Sequence, residues 1–370
     1  MDASGDLIIF NGTLTILVAF GHGGELDKSQ LKKLVGSEVI AERWNKPIEV
    51  EQSEVMAVIV AGSEKITCNT NIYTDVFIAG VSLLRAEIEI RSRILFNDIL
   101  IALHSNTIIV DGLDFQSFAS KRINEIREKL NPGKAVQYYP HTKRYTLLKI
   151  RDFTPKLDQK SLKEQYGEMI TRFLSGETSI RTLHTKEISE KLANDLSYYD
   201  EDLFLASTEG AFVLGCEDYI KDLRELLELA ISLLLLFQIY DRKIDSEITN
   251  AFEAMKKLRS SRYYFLTREP RKLEKSLLRV SEIGLVILDD IEDLMNPHKI
   301  TPDWYYQSVY NKMLNTLKVE EYEKVVQHKV NSLQDLYTTA RELSMEQLTI
   351  ILEVAIVLLI LWEVVRPALI

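Results

Sequence analysis

Hydrophobic positions recur at two periods along this chain. In the first part the period is two. From Leu84 to Ile90, residues Leu84, Ala86, Ile88 and Ile90 fall on one side and Arg85, Glu87 and Glu89 on the other. That alternation predicts a strand half buried in an antiparallel sheet. Leu7–Phe10 and Thr13–Phe20 flank Asn11-Gly12, a pairing that predicts a hairpin. Short strands are expected at 55–60, 75–79, 106–110, 135–139 and 144–150, with a short helix at 27–35 and a helix at 114–130. Further on, 157–174 and 186–196 follow a helical period. Residues 203–205 and 211–214 bracket Ser207-Thr208-Glu209-Gly210 and predict another hairpin.

The second part has the helical period throughout. Fourteen of the fifteen glycines precede Cys216, and only Gly284 follows it. Residues 216–269 contain neither Gly nor Pro, and Leu229–Phe237 is apolar all round, as in the central helix of a bundle. An amphipathic helix is expected at 271–295, closed by Asn296-Pro297. Thr301 is placed to cap a last helix with Pro302 at its first position. No Gly or Pro then occurs before Pro367. An a/d series runs through Val319, Tyr322, Val326, Lys329, Leu333, Leu336, Ala340 and Leu343, with Lys329 breaking it. It suits a coiled coil or a helix packed in its own bundle; in the first case Val326, Leu333, Leu336 and Leu343 would join copies.

The chain ends on its most apolar window, 348–370. A spanning helix needs about 20 apolar residues to cross roughly 30 Å of hydrocarbon. The window supplies eighteen from Leu348 to Val365, interrupted by Glu353 and Glu363. The expectation is a membrane anchor carried by Leu348, Glu353, Ile356, Leu359, Trp362 and Glu363, with the acids near the ends and Trp362 at headgroup level. The opposing expectation is a helix buried in a bundle or interface. With the anchor, the architecture is α+β: a mixed, largely antiparallel β-rich head (1–215), a helical bundle or coiled-coil stalk (216–346) and a C-terminal transmembrane helix (347–366). The bulk of the chain would then lie on the cytoplasmic or matrix side.

Charge changes this picture in one place. A formal net charge of −10 argues against a generic nucleic-acid binder, so no DNA partner is expected. Yet 134–163 holds eight Lys or Arg against two Asp. Lys143, Arg144, Lys149 and Arg151, with tyrosines interleaved, form a candidate patch for RNA or anionic headgroups. The same residues also suit a solvated strand pair. Cys68 and Cys216 stand alone, which excludes a disulfide framework and a thiolate zinc site.

Candidate chemistry is sparse. Asp289, Asp290 and Asp293 lie one turn apart on a helical pattern, a spacing able to hold Mg²⁺ against a diphosphate. A second such motif is missing, and the spacing equally suits a solvated acidic face. Gly21-His22-Gly23-Gly24 lacks the Walker ending and reads as a turn. No cofactor is expected.

The C-terminal residues Lys329, Leu333, Leu336, Tyr337, Leu352, Glu353, Ile356, Leu358, Leu359, Ile360, Glu363 and Val364 resemble the ending of the "required for meiotic nuclear division" (sporulation RMD) family. Ile9, Phe10, Gly12 and Phe20 are similar to its opening. The resemblance implies a membrane-attached, oligomer-forming protein without established enzymatic activity, whose eukaryotic relatives support organellar translation. The functional expectation is therefore a tail-anchored, self-associating scaffold, not an enzyme, contacting RNA, a ribosome or lipid headgroups. The alternatives are a soluble Mg²⁺-dependent enzyme acting on a diphosphate and a soluble helical adaptor.

Overall fold

A computed structural model of the 370-residue chain describes residues 6–23, 48–61, 64–77, 80–131, 139–177, 181–260 and 291–365, with Lys275, Leu278 and Val280 in addition. The helix expected at 27–35, the strand at 135–138, most of the helix at 271–295, and both Asp289 and Asp290 lie outside the described residues.

The strands are β1 (Ile8–Gly21), β2 (Ile48–Ala61), β3 (Glu64–Val76), β4 (Val81–Ile90), β5 (Ile94–Leu95), β6 (Ile108–Val110), β7 (Leu113–Asp114), β8 (Thr142–Thr154), β9 (Leu203–Ala206) and β10 (Gly210–Leu214). The helices are α1 (Phe96–His104), α2 (Phe115–Leu130), α3 (Gln159–Ser175), α4 (Thr185–Ala193), α5 (Ile220–Ser260), α6 (Glu292–Met295), α7 (Pro297–Ile300), α8 (Trp304–Thr316) and α9 (Val319–Val365). The strands form one sheet in the order β7-β6-β2-β3-β4-β1-β8-β10-β9, with β5 beside the start of β1. β8 and β10 run parallel and the other pairs antiparallel.

The expected first hairpin is absent. β1 passes straight through Asn11-Gly12 and lies between β4 and β8. The register against β8 shifts around Asn11, so the dipeptide is absorbed as an irregularity instead of a turn. Gly12 serves close approach: a Cβ there would stand 2.6 Å from the Lys149 carbonyl oxygen. The β9–β10 hairpin forms as expected.

Both sides of the central strands are buried. On one, Leu14, Ile16, Val18 and Phe20 of β1 and Leu84, Ala86, Ile88 and Ile90 of β4 share a core with Phe96, Ile99, Phe115, Phe118, Ile170 and Phe173 of α1, α2 and α3. Asp114 and Asp158 cap α2 and α3 through the backbone N–H groups of Ser117 and Ser161. By alternation, Leu17, Leu83, Arg85, Leu147, Phe204 and Val213 point to the opposite side and are buried there. The first turns of α5 lie on that side, as the Arg85–Glu228 ion pair shows.

The chain divides into two compact units. The first, Met1–Leu236 with Asp293–Glu320, holds the sheet; the second, Phe237–Glu292 with Glu321–Ile370, holds the rest of α5 and most of α9. In the second unit Val326 and Leu333 are buried, and Lys329 reaches Asp241 and Asp245, each at 2.6 Å. The residue that interrupts the a/d series is thus an ion-pair donor to α5. The last helical stretch is also divided. Asp303, not Thr301, caps α8, and Lys318 at φ +58° separates α8 from α9 without any Gly or Pro.

The transmembrane part of the expected fold is overturned. No helix among the described residues is long and apolar enough to cross a membrane. α9 is long, but its acid-free centre, Val354–Trp362, spans only about 13–14 Å at 1.5 Å per residue. The anchor assigned to Leu348, Glu353, Ile356, Leu359, Trp362 and Glu363 therefore falls, and the tail-anchored localisation falls with it. What stands is a sheet-rich N-terminal domain with helices.

Candidate functional site

Two constellations in the first unit unite residues far apart in sequence. The first is ionic and buried. Arg85 of β4 donates from Nη1 to both carboxylate oxygens of Glu228 on α5, at 2.9 and 3.1 Å. Nη1 also lies 3.2 Å from Asp75 Oδ2, Nε lies 3.2 Å from Glu87 Oε1, and the guanidinium stands 4.4 Å from the Tyr73 ring centroid. Arg224, one turn before Glu228, donates to Glu87 at 2.7 Å. Burial pushes Glu228 up to about 7, against the pull of Arg85 and Arg224. Burial likewise raises Asp75. This network has the character of a lock between the sheet and α5. Its carboxylates are consumed by guanidinium groups, and Arg85, Asp75 and Glu228 are almost wholly shielded from solvent.

The second constellation is aromatic and lies at the surface. Tyr198 and Tyr199 come from the connection between α4 and β9, Tyr219 from the residue before α5, and Trp304, Tyr305 and Tyr306 from the first turn of α8. Tyr198 is the hub. Its ring centroid lies 4.6 Å from those of Tyr199 and Tyr305, 6.1 Å from Trp304 and 6.5 Å from Tyr219. Hydrogen bonds fix the inner members. Tyr305 donates to the Leu196 carbonyl at 2.7 Å, Tyr306 to Asp222 at 2.8 Å, and Tyr219 to Asp202. Burial foremost, then the Asp222 carboxylate, pushes the Tyr306 phenol up to about 12. The outer members are open: Trp304 is 68% exposed, Tyr199 59% and Tyr198 46%. A further open hollow of about 610 Å³ lies over β2, β3 and β4, lined in part by Glu54, Asn69, Asn71, Glu89 and Arg91.

The residues singled out in the sequence fare differently. Lys143 pairs with Glu209 at 2.6 Å; Lys149 and Arg151 both reach Glu217, at 2.6 and 3.3 Å. Arg144 stands 5.5 Å from the Phe115 ring centroid, and burial lowers its pKa. Lys143, Lys149 and Arg151 of the basic stretch are thus paired with carboxylates, and Arg144 lies partly buried against an aromatic ring. Asp293 is exposed and paired with Lys299. Among the described residues no group of three or more His, Cys, Asp or Glu could hold a metal ion. Val326 and Leu333 are covered within their own chain and Leu336 is half-buried, while the side chain of Leu343 lies outside the described residues. Pattern reading misses the aromatic cluster. Its signal is the pair of aromatic runs Tyr198-Tyr199 and Trp304-Tyr305-Tyr306, the first followed directly by Asp200-Glu201-Asp202.

A ten-stranded, largely antiparallel sheet locked to a long helix defines the class as a sheet-rich domain followed by helices. The chain belongs to the family described as "Uncharacterized protein MJ0711, N-terminal domain", whose model matches residues 11–220, more than half of the 370. It is similar to the uncharacterized protein MJ0711 of Methanocaldococcus jannaschii, 23% identical over 275 residues, which cover 72% of this chain and 81% of the relative. No solved structure matches. The membership replaces the resemblance to the RMD family: the matching part is the sheet-bearing N-terminal region, whereas that resemblance rested mainly on an apolar helical ending. Leucine-rich helices share such endings because few residue types suit them, so the likeness carried little information about ancestry.

Proposed function

We propose that the protein is a non-catalytic, self-associating adaptor, with the end of α9 as the surface that joins copies. One observation carries this reading. From Leu352 to Ile360 every residue is exposed, and eight of the nine are apolar, Glu353 being the exception. Successive helical residues turn through about 100°, so this segment is apolar on almost every side. A helix of that kind ordinarily has its surface covered. A second copy supplies an identical helix at matching concentration.

Magnitudes favour a whole-face contact. Covering four such side chains contributes roughly 6–12 kcal/mol, against an association cost of about 4–15 kcal/mol. The two ranges overlap, so it is burial of more than four side chains, as a whole-face contact provides, that moves the balance towards association. The two cysteines play no covalent part in this reading. Both cysteines are buried, and burial pushes Cys68 up to about 11 and Cys216 up to about 12, far from a reactive thiolate.

Light scattering on the size-fractionated full chain tests the proposal. The expected mass is a multiple of 42.6 kDa, reduced by Ile356→Asp with Leu359→Asp. A wild-type chain that stays monomeric at about 100 μM, where a contact of micromolar strength would be saturated, overturns it.

A further inference from the structure

The geometry points to the Tyr198-centred aromatic surface as a docking platform for arginine side chains of a basic protein segment. This goes beyond self-association and rests on a different part of the chain.

Three features converge. The platform is pre-built, since Tyr305, Tyr306 and Tyr219 are tied by their hydroxyls to Leu196, Asp222 and Asp202. A surface already ordered loses less entropy when a ligand lands on it. Its ring contacts are mostly edge-to-face, with interplanar angles of 89° for Tyr198–Tyr199 and 65° for Tyr198–Tyr305. In an edge-to-face pair, one ring meets its neighbour with its edge and keeps its π-face free of that neighbour. Tyr198, Tyr199 and Trp304 together present this surface to solvent.

The third feature is charge. Within Ala193–Ile220, Asp195, Glu209 and Glu217 are paired with Lys163, Lys143 and Lys149 and Asp202 is buried, but Asp218 is exposed, and so is Asp303 beside Trp304. Asp200 and Glu201, next to the two tyrosines, are exposed. Carboxylates around aromatic rings repel phosphate and favour a cation. Of the two side-chain cations, guanidinium is planar, weakly hydrated and able to stack on a ring while donating sideways to carboxylates. A single-stranded nucleic acid would use the same rings for base stacking, but its backbone would meet the acidic rim.

The test uses the full chain with a ten-residue peptide of alternating Arg and Gly, its Lys–Gly and Glu–Gly counterparts, and a uridine decamer. Binding is read by calorimetry and by the fluorescence change that Trp304 contributes. The Arg peptide is expected to bind most tightly, the Lys peptide more weakly, and the Glu peptide and the decamer not detectably. Trp304→Ala with Tyr199→Ala should weaken Arg-peptide binding by about tenfold or more, the equivalent of about 1.4 kcal/mol. Asp200→Asn with Glu201→Gln should weaken it and reduce its dependence on salt. All four replaced residues are exposed, so the fold should survive, as circular dichroism will show. No binding of the Arg peptide at millimolar concentration overturns the proposal. So does unchanged affinity in both variants, or tighter binding of the decamer than of the peptide. Because the platform variants leave α9 untouched, their oligomeric mass should equal that of the wild type, which separates failure here from failure of self-association.

Discussion

Arg85 and Glu228 stand 143 residues apart in sequence and meet through two hydrogen bonds from one guanidinium nitrogen, buried between the sheet and α5. With Asp75, Glu87 and Arg224 the cluster holds three carboxylates against two guanidiniums. Removal of a cation and removal of an anion therefore have unequal consequences.

Arg85→Leu removes the guanidinium from buried Asp75 and leaves buried Glu228 with Arg224 alone, at 3.4 Å. Breaking a buried pair from one side costs about 3–5 kcal/mol, so the variant should unfold at markedly lower urea concentration, if it folds at all. Glu228→Gln keeps the shape and leaves Arg85 its contacts with Asp75 and Glu87. It should cost less than about 2 kcal/mol, within the range for an altered hydrogen bond. Equal urea midpoints for the two variants would refute the lock.

The same carboxylate predicts a pH dependence. Burial raises Glu228 from 4.5 to about 7, with Arg85 and Arg224 opposing. The folded state thus favours the protonated acid. Its contribution to stability is complete below about pH 4.5 and is lost as pH rises towards 7. A shift of that size corresponds to at most roughly 3.5 kcal/mol. Urea midpoints at several pH values should fall less between about pH 5 and 7, the interval between the unfolded and folded pKa values, in Glu228→Gln than in the wild type. Parallel profiles would exclude a titrating Glu228.

Alkaline unfolding follows from the thiols. Cys68 and Cys216 are raised from 9.0 to about 11 and about 12, in each case foremost by burial. Unfolded thiols ionise first, so stability present below about pH 9 should decline as pH rises through that range. Labelling by a disulfide reagent should be slow in the native state and become fast with unfolding. Rapid labelling of either cysteine at pH 8 in the folded protein would contradict this, because pH 8 lies below both raised values.

Gly215 has φ +73°, and a Cβ there would collide with the Asp202 carboxylate. That carboxylate accepts from the Cys216 N–H at 3.0 Å and from the Tyr219 hydroxyl. Gly215→Ala should therefore cost about 1–3 kcal/mol and loosen Tyr219, which a thermal-unfolding scan and near-UV dichroism would register. An unchanged midpoint would mean that the turn adapts.

Much of the chain's local form is legible in the order of its residues. The period of two places β4, with Leu84, Ala86, Ile88 and Ile90 on one side, because alternation is a property of neighbouring residues alone. Turn chemistry places the β9–β10 hairpin, and Gly80, Gly112, Gly176 and Gly215 mark turns at positive φ, whereas Gly12 and Gly167 lie inside a strand and a helix. Other features depend on partners far along the chain. Asn11-Gly12 carries a hairpin signal, yet β1 continues because β4 and β8 satisfy both its edges. Arg85 carries the signature of a solvated side chain, yet α5 covers it with a carboxylate from residue 228. The apolar composition of 348–365 is plain, but whether it meets lipid or protein is not, since apolar side chains suit either and only the spacing of Glu353 and Glu363 along a real helix counts against a span. Tyr198, Tyr219 and Trp304 are ordinary aromatics until the tertiary structure gathers three separate segments into one surface. Local sequence determined the periods; burial, charge pairing and the aromatic platform were decided by long-range packing, because each needs residues that only the fold brings within a few ångströms.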